Sequence, residues 1–69
     1  MSVHEIATIK FTDHDTRDEG VAIVRTSNNV IGLALSLKSN GDVEVFLTPE
    51  VCQRLTHALR DAIEAASGA

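Results

Sequence analysis

The stretch TDHDTRDEG, residues 12–20, carries the residue types that could do chemistry: four carboxylates, one imidazole and one guanidinium. Asp13 and Asp15 have the spacing of the first two ligands of a calcium-binding loop. In that pattern the sixth position must be a glycine that turns the chain, and the twelfth a bidentate glutamate. Those positions hold Asp18 and Val24. The calcium pattern therefore fails.

A transition-metal site in this stretch would depend on His14. Its immediate neighbours Asp13 and Asp15 cannot all converge with it on one ion, so the fold would have to bring His4 and His57 close. Charged clusters between strands are usually solvated connections. We therefore predict no metal and no cofactor. The acidic loop, residues 13–19, is left as a candidate surface for a basic partner, through Asp13, Asp15, Asp18 and Glu19.

The other candidate for chemistry is Cys52 with His57 five residues further on. A catalytic pair needs hydrogen-bond reach and a third group that orients the base. Five residues along a helix place two side chains apart, and a free cysteine is most often simply buried. Ser36 and Ser39 have no base near them in sequence. We predict a half-buried structural cysteine and no catalytic residues, so the protein is not expected to be an enzyme.

The composition predicts one small domain, residues 1–69, with an aliphatic core. A chain of 69 residues buries a marginal core, and self-association is a common remedy. One unpaired cysteine fits a reducing cytoplasm, and no apolar run approaches the length of a membrane span. The net charge of −4 argues against nucleic acid and anionic lipid as partners. We expect a cytoplasmic homo-oligomer, most simply a dimer.

Four apolar runs separated by turn residues, then one helical pattern, predict an α+β fold. The predicted strands are residues 3–11, 21–26, 30–38 and 42–48. Alternation is clearest where Ala7, Ile9 and Phe11 alternate with Thr8 and Lys10. A three-residue loop of Ser39, Asn40 and Gly41, with Gly41 in the left-handed region, would pair Leu37 with Val43 and Leu35 with Val45. The expected fold is a four-stranded antiparallel meander followed by one helix packed on one sheet face.

The helix is predicted to start at Thr48-Pro49-Glu50, with Thr48 as its cap. Its apolar side chains recur at helical spacing and form one stripe that would cover one face of the sheet. We call this the helix stripe, formed by Val51, Leu55, Ala58, Leu59, Ala62, Ile63 and Ala66. The other face of the sheet has small residues in the middle and one aromatic. It therefore suits close approach by a second copy of the chain. The candidate dimer interface is formed by Gly32, Ala34, Ser36 and Phe46.

The order of elements and the segment VEVFLTPEVCQRL resemble the single-stranded DNA-binding coactivator family called positive cofactor four. That resemblance implies a dimer whose strands carry basic and aromatic residues for DNA. Here the strands offer only Lys10, Arg25 and Lys38, with two phenylalanines. The chain also resembles small bacterial strand-rich proteins with a C-terminal helix, which imply no particular activity.

We therefore predict a non-enzymatic protein-interaction or regulatory module that acts as a homodimer. Two alternatives are kept open. One is a single-stranded nucleic-acid-binding protein of ββββα topology, and the other a small acidic inhibitor of a basic or nucleic-acid-binding partner.

Overall fold

The computed structural model describes residues 3–68 and contains one sheet and one helix. The elements are β1 (His4–Thr12), β2 (Glu19–Ser27), β3 (Val30–Leu37), β4 (Gly41–Leu47) and α1 (Pro49–Gly68). The strands lie in the order β1-β2-β3-β4, and each pairs antiparallel with its neighbours in the chain. The predicted ββββα meander of the α+β class is confirmed.

The strand register sorts side chains onto two faces of different chemistry, because successive residues of a strand point to opposite sides. We call one side the apolar face. It is formed by Ala7, Ile9, Phe11, Ala22, Val24, Ile31, Leu33, Leu35, Leu37, Val43, Val45 and Leu47. We call the other side the mixed face. It is formed by Thr8, Lys10, Val21, Ile23, Arg25, Gly32, Ala34, Ser36, Asp42, Glu44 and Phe46.

The β3–β4 turn corrects one prediction. Leu37 pairs with Gly41 and Leu35 with Val43, so the loop is Lys38, Ser39 and Asn40, one residue earlier than expected. Gly41 has the predicted positive φ, at 84°. The glycine closes the turn as the first residue of β4, where its freedom at φ > 0 is needed. Because the pairing moves by two residues rather than one, every side chain stays on its predicted face.

Two further irregularities shape the sheet. The β2–β3 hairpin turns through Asn28 and Asn29, with Asn28 at φ 56°, a conformation that asparagine tolerates well. In β1 the pairing with β2 shifts between Glu5 and Ala7, which leaves Ile6 as a bulge. A bulge bends its strand and interrupts the ladder locally.

Both phenylalanines of the chain lie directly opposite a glycine of the neighbouring strand. On the apolar face Phe11 pairs with Gly20, and a Cβ added to that glycine would lie 2.6 Å from the ring's Cζ. On the mixed face Phe46 pairs with Gly32, where the same added atom would lie 3.4 Å from the ring. Each ring covers strand backbone that a glycine leaves open.

The helix begins where the sequence predicts. Thr48 Oγ1 accepts a hydrogen bond from the Val51 N–H at 3.3 Å, and the Cys52 N–H donates to the Thr48 carbonyl at 3.0 Å. The expected packing of the helix stripe against the sheet differs. The helix contacts only β3 and β4, and none of its described residues is buried. The predicted core is consequently missing from the single chain, since no hydrophobic residue among residues 3–68 is buried.

Candidate interaction surfaces

The acidic loop is an ordered turn rather than a loose connection. The Asp13 carboxylate accepts hydrogen bonds from both the backbone N–H and the hydroxyl of Thr16, each at 2.9 Å. The Arg17 N–H donates to the Asp13 carbonyl, and Arg17 takes up φ 64°. The Thr16 backbone N–H, and then its hydroxyl, lower the pKa of the Asp13 carboxyl below its ordinary value. Asp13 therefore holds the turn together.

Asp18 has a structural role as well. Its carboxylate accepts hydrogen bonds from the Ser39 N–H at 2.8 Å and from the Ser39 hydroxyl at 3.3 Å. These bonds tie the β1–β2 turn to the β3–β4 turn at the same end of the sheet. Of the four predicted acidic partner residues, Asp15 and Glu19 are the two whose carboxylates the turn does not use in this way. Their role towards a basic partner stays a prediction.

The geometry does not support the metal sites that the sequence analysis considered. Within residues 3–68 there is no group of three or more His, Cys, Asp or Glu side chains placed to hold an ion. His14 Nδ1 lies 3.9 Å from Asp15 Oδ1, and both side chains are almost fully in solvent. A contact between two exposed side chains contributes little to stability.

The mixed face brings together the four residues predicted to form a dimer interface, Gly32, Ala34, Ser36 and Phe46, but it is not a flat surface. The small residues of β3 form the floor of a trough that longer side chains from β2 and β4 bridge. Arg25 Nη1 reaches across β3 to Glu44 Oε2 at 3.3 Å. Ser36 donates a hydrogen bond to the Asp42 carboxylate, and Phe46 lies over Gly32. The small residues are thus largely covered within the chain, and the interface role of these four residues stays a prediction.

The apolar face is the larger uncovered surface. Leu35 is 43% exposed although it lies on an inner strand, and its neighbour Val43 on the edge strand β4 is 55% exposed. The sequence analysis did not anticipate this exposure, although the widths of a helix and of a four-stranded sheet predict it. Strands about 4.8 Å apart make a four-stranded face roughly 15 Å across or more, and one helix is only about 10 Å wide. A single helix cannot cover four strands.

Cys52 is half-buried on the first turn of the helix, as the sequence predicts. It shares a shallow depression on the helix surface with His57 and Thr56. Thr56 donates its hydroxyl proton to the Cys52 carbonyl, and among residues 3–68 no hydrogen bond joins Cys52 to His57. The arrangement does not form a nucleophile paired with a base.

The strand cations do not form a positive track. Arg25 is paired with Glu44, while Lys10 and Lys38 line a depression that also contains Glu19. The one exposed aromatic of the mixed face, Phe46, is opposite Gly32 on the far side of the sheet from Phe11. Single-strand binding needs a continuous cationic groove with stacking rings on the same surface. The DNA-binding alternative therefore stays a prediction supported by the order of elements and the segment VEVFLTPEVCQRL.

Comparison with known proteins found no match for this chain among protein-family models, curated proteins or solved structures. Among residues 3–68 no helix has both the length and the apolar character needed to cross a membrane. The two surfaces that the fold leaves uncovered, the apolar face and the helix stripe, are thus the strongest guides to function.

Proposed function

We propose that this protein is a non-catalytic interaction module that works as a homodimer. The observation that carries the proposal is the absence of any buried hydrophobic residue among residues 3–68, while the apolar face and the helix stripe are both uncovered. Exposed apolar surfaces of this extent mark sites of protein association. A chain with 43% hydrophobic residues has the material for a core and forms it by association.

In the dimer, self-association occupies the aliphatic surfaces. The mixed face and the acidic turn then remain in contact with solvent, and they are the surfaces available to a further protein. The ordered turn presents Asp15 and Glu19 in a fixed geometry, because Asp13 and Asp18 hold its backbone. A basic partner is the complement that these carboxylates favour.

Sedimentation over a wide protein concentration range tests this proposal. We expect a mass of twice the 7.4 kDa chain, persisting at high salt, because apolar association is not screened by ions. A mass of one chain at every concentration contradicts the proposal. A dimer that dissociates as salt is added would mean that charges rather than the aliphatic surfaces hold it together.

A further inference from the structure

The helix moves away from its own sheet along its length. Exposure along the helix stripe rises from 39% at Leu55 to 55% at Leu59 and 65% at Ile63. Only β3 and β4 contact the helix, so the second half of the stripe has no covering surface within the chain. The helix stripe and the apolar face are two apolar surfaces of one molecule that cover each other only in part.

The connection between sheet and helix fixes this geometry. Thr48 is the only residue between the end of β4 at Leu47 and the start of α1 at Pro49. A residue before proline is restricted to extended backbone conformations, and the proline itself has a fixed φ. The Thr48 side chain also caps the helix, as described above. The connection therefore has few free torsion angles, which limits how the helix can move relative to its own sheet.

The surface area of the single chain agrees with a missing partner. A folded monomer of 7.4 kDa exposes roughly 4,200 Å², whereas this chain exposes 5638 Å². Its radius of gyration is 13.7 Å, against about 11 Å for a compact chain of this length. The excess of about 1,400 Å² exceeds the roughly 800 Å² that each partner contributes to a standard interface. One second copy is enough to cover it.

We infer that two copies exchange their helices, so that the helix stripe of each chain lies on the apolar face of the other. This inference rests on the proposed homodimer and specifies its interface. A two-fold axis makes the two contacts identical, so one symmetry operation covers both helix stripes and a strip of each apolar face as wide as one helix. Two sheets packed face to face would leave both helix stripes in water. The lengths also match, because a helix of 20 residues spans about 30 Å and strands of 7–9 residues span about 23–30 Å.

Charge substitutions on the two surfaces test which residues form the interface. Leu35→Lys on the apolar face and Ile63→Glu on the helix stripe should each raise the dimer dissociation constant at least about 100-fold, since each buries a charge in an apolar contact. Both positions are exposed in the single chain, and circular dichroism at the same concentrations reports whether a variant that dissociates also loses its sheet. The matched control is Phe46→Ser on the mixed face, which should change the constant less than about threefold.

A spin-label experiment tests the exchange itself. A nitroxide is attached to the thiol that Ser67→Cys introduces near the end of the helix, in a Cys52→Ser background, and this chain is mixed with isotope-labelled, unmodified chain. If the helices are exchanged, the nitroxide broadens backbone amide signals of the sheet in the labelled partner. Broadening confined to the partner's helix would mean helix-on-helix packing, and no intermolecular broadening would mean sheet-on-sheet packing. Either result overturns the exchange.

The outcomes separate this inference from the proposed function. If the wild-type chain stays monomeric, both the proposed homodimer and the exchanged interface are wrong. A wild-type dimer that Phe46→Ser dissociates, and that Leu35→Lys and Ile63→Glu leave intact, keeps the homodimer and overturns the exchanged interface. In that case the mixed face, with Gly32, Ala34, Ser36 and Phe46, forms the contact.

Discussion

The two faces of the sheet come from the same strands, yet side chains of the same chain bridge one face, where Phe46 is still 70% exposed, and do not bridge the other. On the mixed face, small residues of β3 allow side chains of β2 and β4 to meet above them, as Arg25 and Glu44 do. On the apolar face the rows are aliphatic except for Phe11, and five of its residues are exposed: Ile9, Phe11, Leu35, Val43 and Val45. Polar side chains can satisfy one another's hydrogen bonds across a strand. Aliphatic side chains stabilise the protein only when they are removed from water. The comparison supports the proposal that a second copy of the chain covers the apolar face.

The largest difference between the two faces is expected from two adjacent residues that point to opposite sides of the sheet. Val45→Asp should lower the free energy of unfolding of the assembled protein by more than about 3 kcal/mol, because it places a charge where the apolar face is buried on association. Phe46→Asp, one residue further, should cost only about 1 kcal/mol. Urea unfolding at a fixed protein concentration measures both. Equal losses would show that the two faces are used alike.

The two glycines opposite the phenylalanines give a second matched pair. Gly20→Ala should destabilise the protein by about 1–3 kcal/mol, since the added Cβ would lie 2.6 Å from Phe11 and 2.8 Å from Leu37. Gly32→Ala places the same atom in ordinary contact with Phe46, at 3.4 Å. Its effect should stay within about 0.5 kcal/mol. Thermal unfolding of both variants distinguishes the close contact of Phe11 with Gly20 from the looser contact of Phe46 with Gly32, and a larger loss at Gly32 would contradict this interpretation.

A smaller effect is expected from the ion pair that bridges the trough on the mixed face. A double-mutant cycle with Arg25→Met and Glu44→Gln should give a coupling energy of about 0.2–1 kcal/mol, because both side chains are partly exposed. Added salt should reduce it. A coupling of zero would mean that the mixed face is covered by side-chain packing alone.

The smallest effect is expected at the acidic turn. The hydrogen bonds from Thr16 lower the pKa of Asp13, so its contribution to stability is present above pH 3.8 and is lost as the pH falls through the lower folded value. Amide chemical shifts of Thr16, followed through an acid titration, should report that transition. Asp13→Asn should abolish the titration at Thr16. Asp15→Asn is the matched control, and it should leave the titration in place.

Much of this fold could be predicted because local patterns determine it. Alternation fixed the strands, Thr48-Pro49-Glu50 fixed the helix start, and Gly41 was correctly expected in the left-handed region. The β3–β4 loop was predicted one residue too late in the sequence. Neither the alternation of apolar and polar residues nor the turn residues distinguish strand registers that differ by two residues. Periodicity also shows that the helix has an apolar stripe, but it does not say which surface covers that stripe.

The candidate sites were harder to predict for a related reason. Asp13 and Asp18 were expected to face a partner, which stays a prediction, and the structure adds that their carboxylates hold the turns. Such bonds depend on which backbone N–H groups a turn directs inward, and the sequence spacing alone does not contain this. Likewise the small residues of β3 suggest a flat surface, whereas the reach of Arg25 and Glu44 over them depends on the diagonal register between strands.

The bulge at Ile6 has a consequence for solubility. β1 is an edge strand, and its unpaired N–H and C=O groups could accept a strand from another molecule and start a fibre. A break in the regular ladder between Glu5 and Ala7 makes that edge a poor template for such growth. The β1 edge is therefore a poorer template for fibre growth than the regular edge of β4.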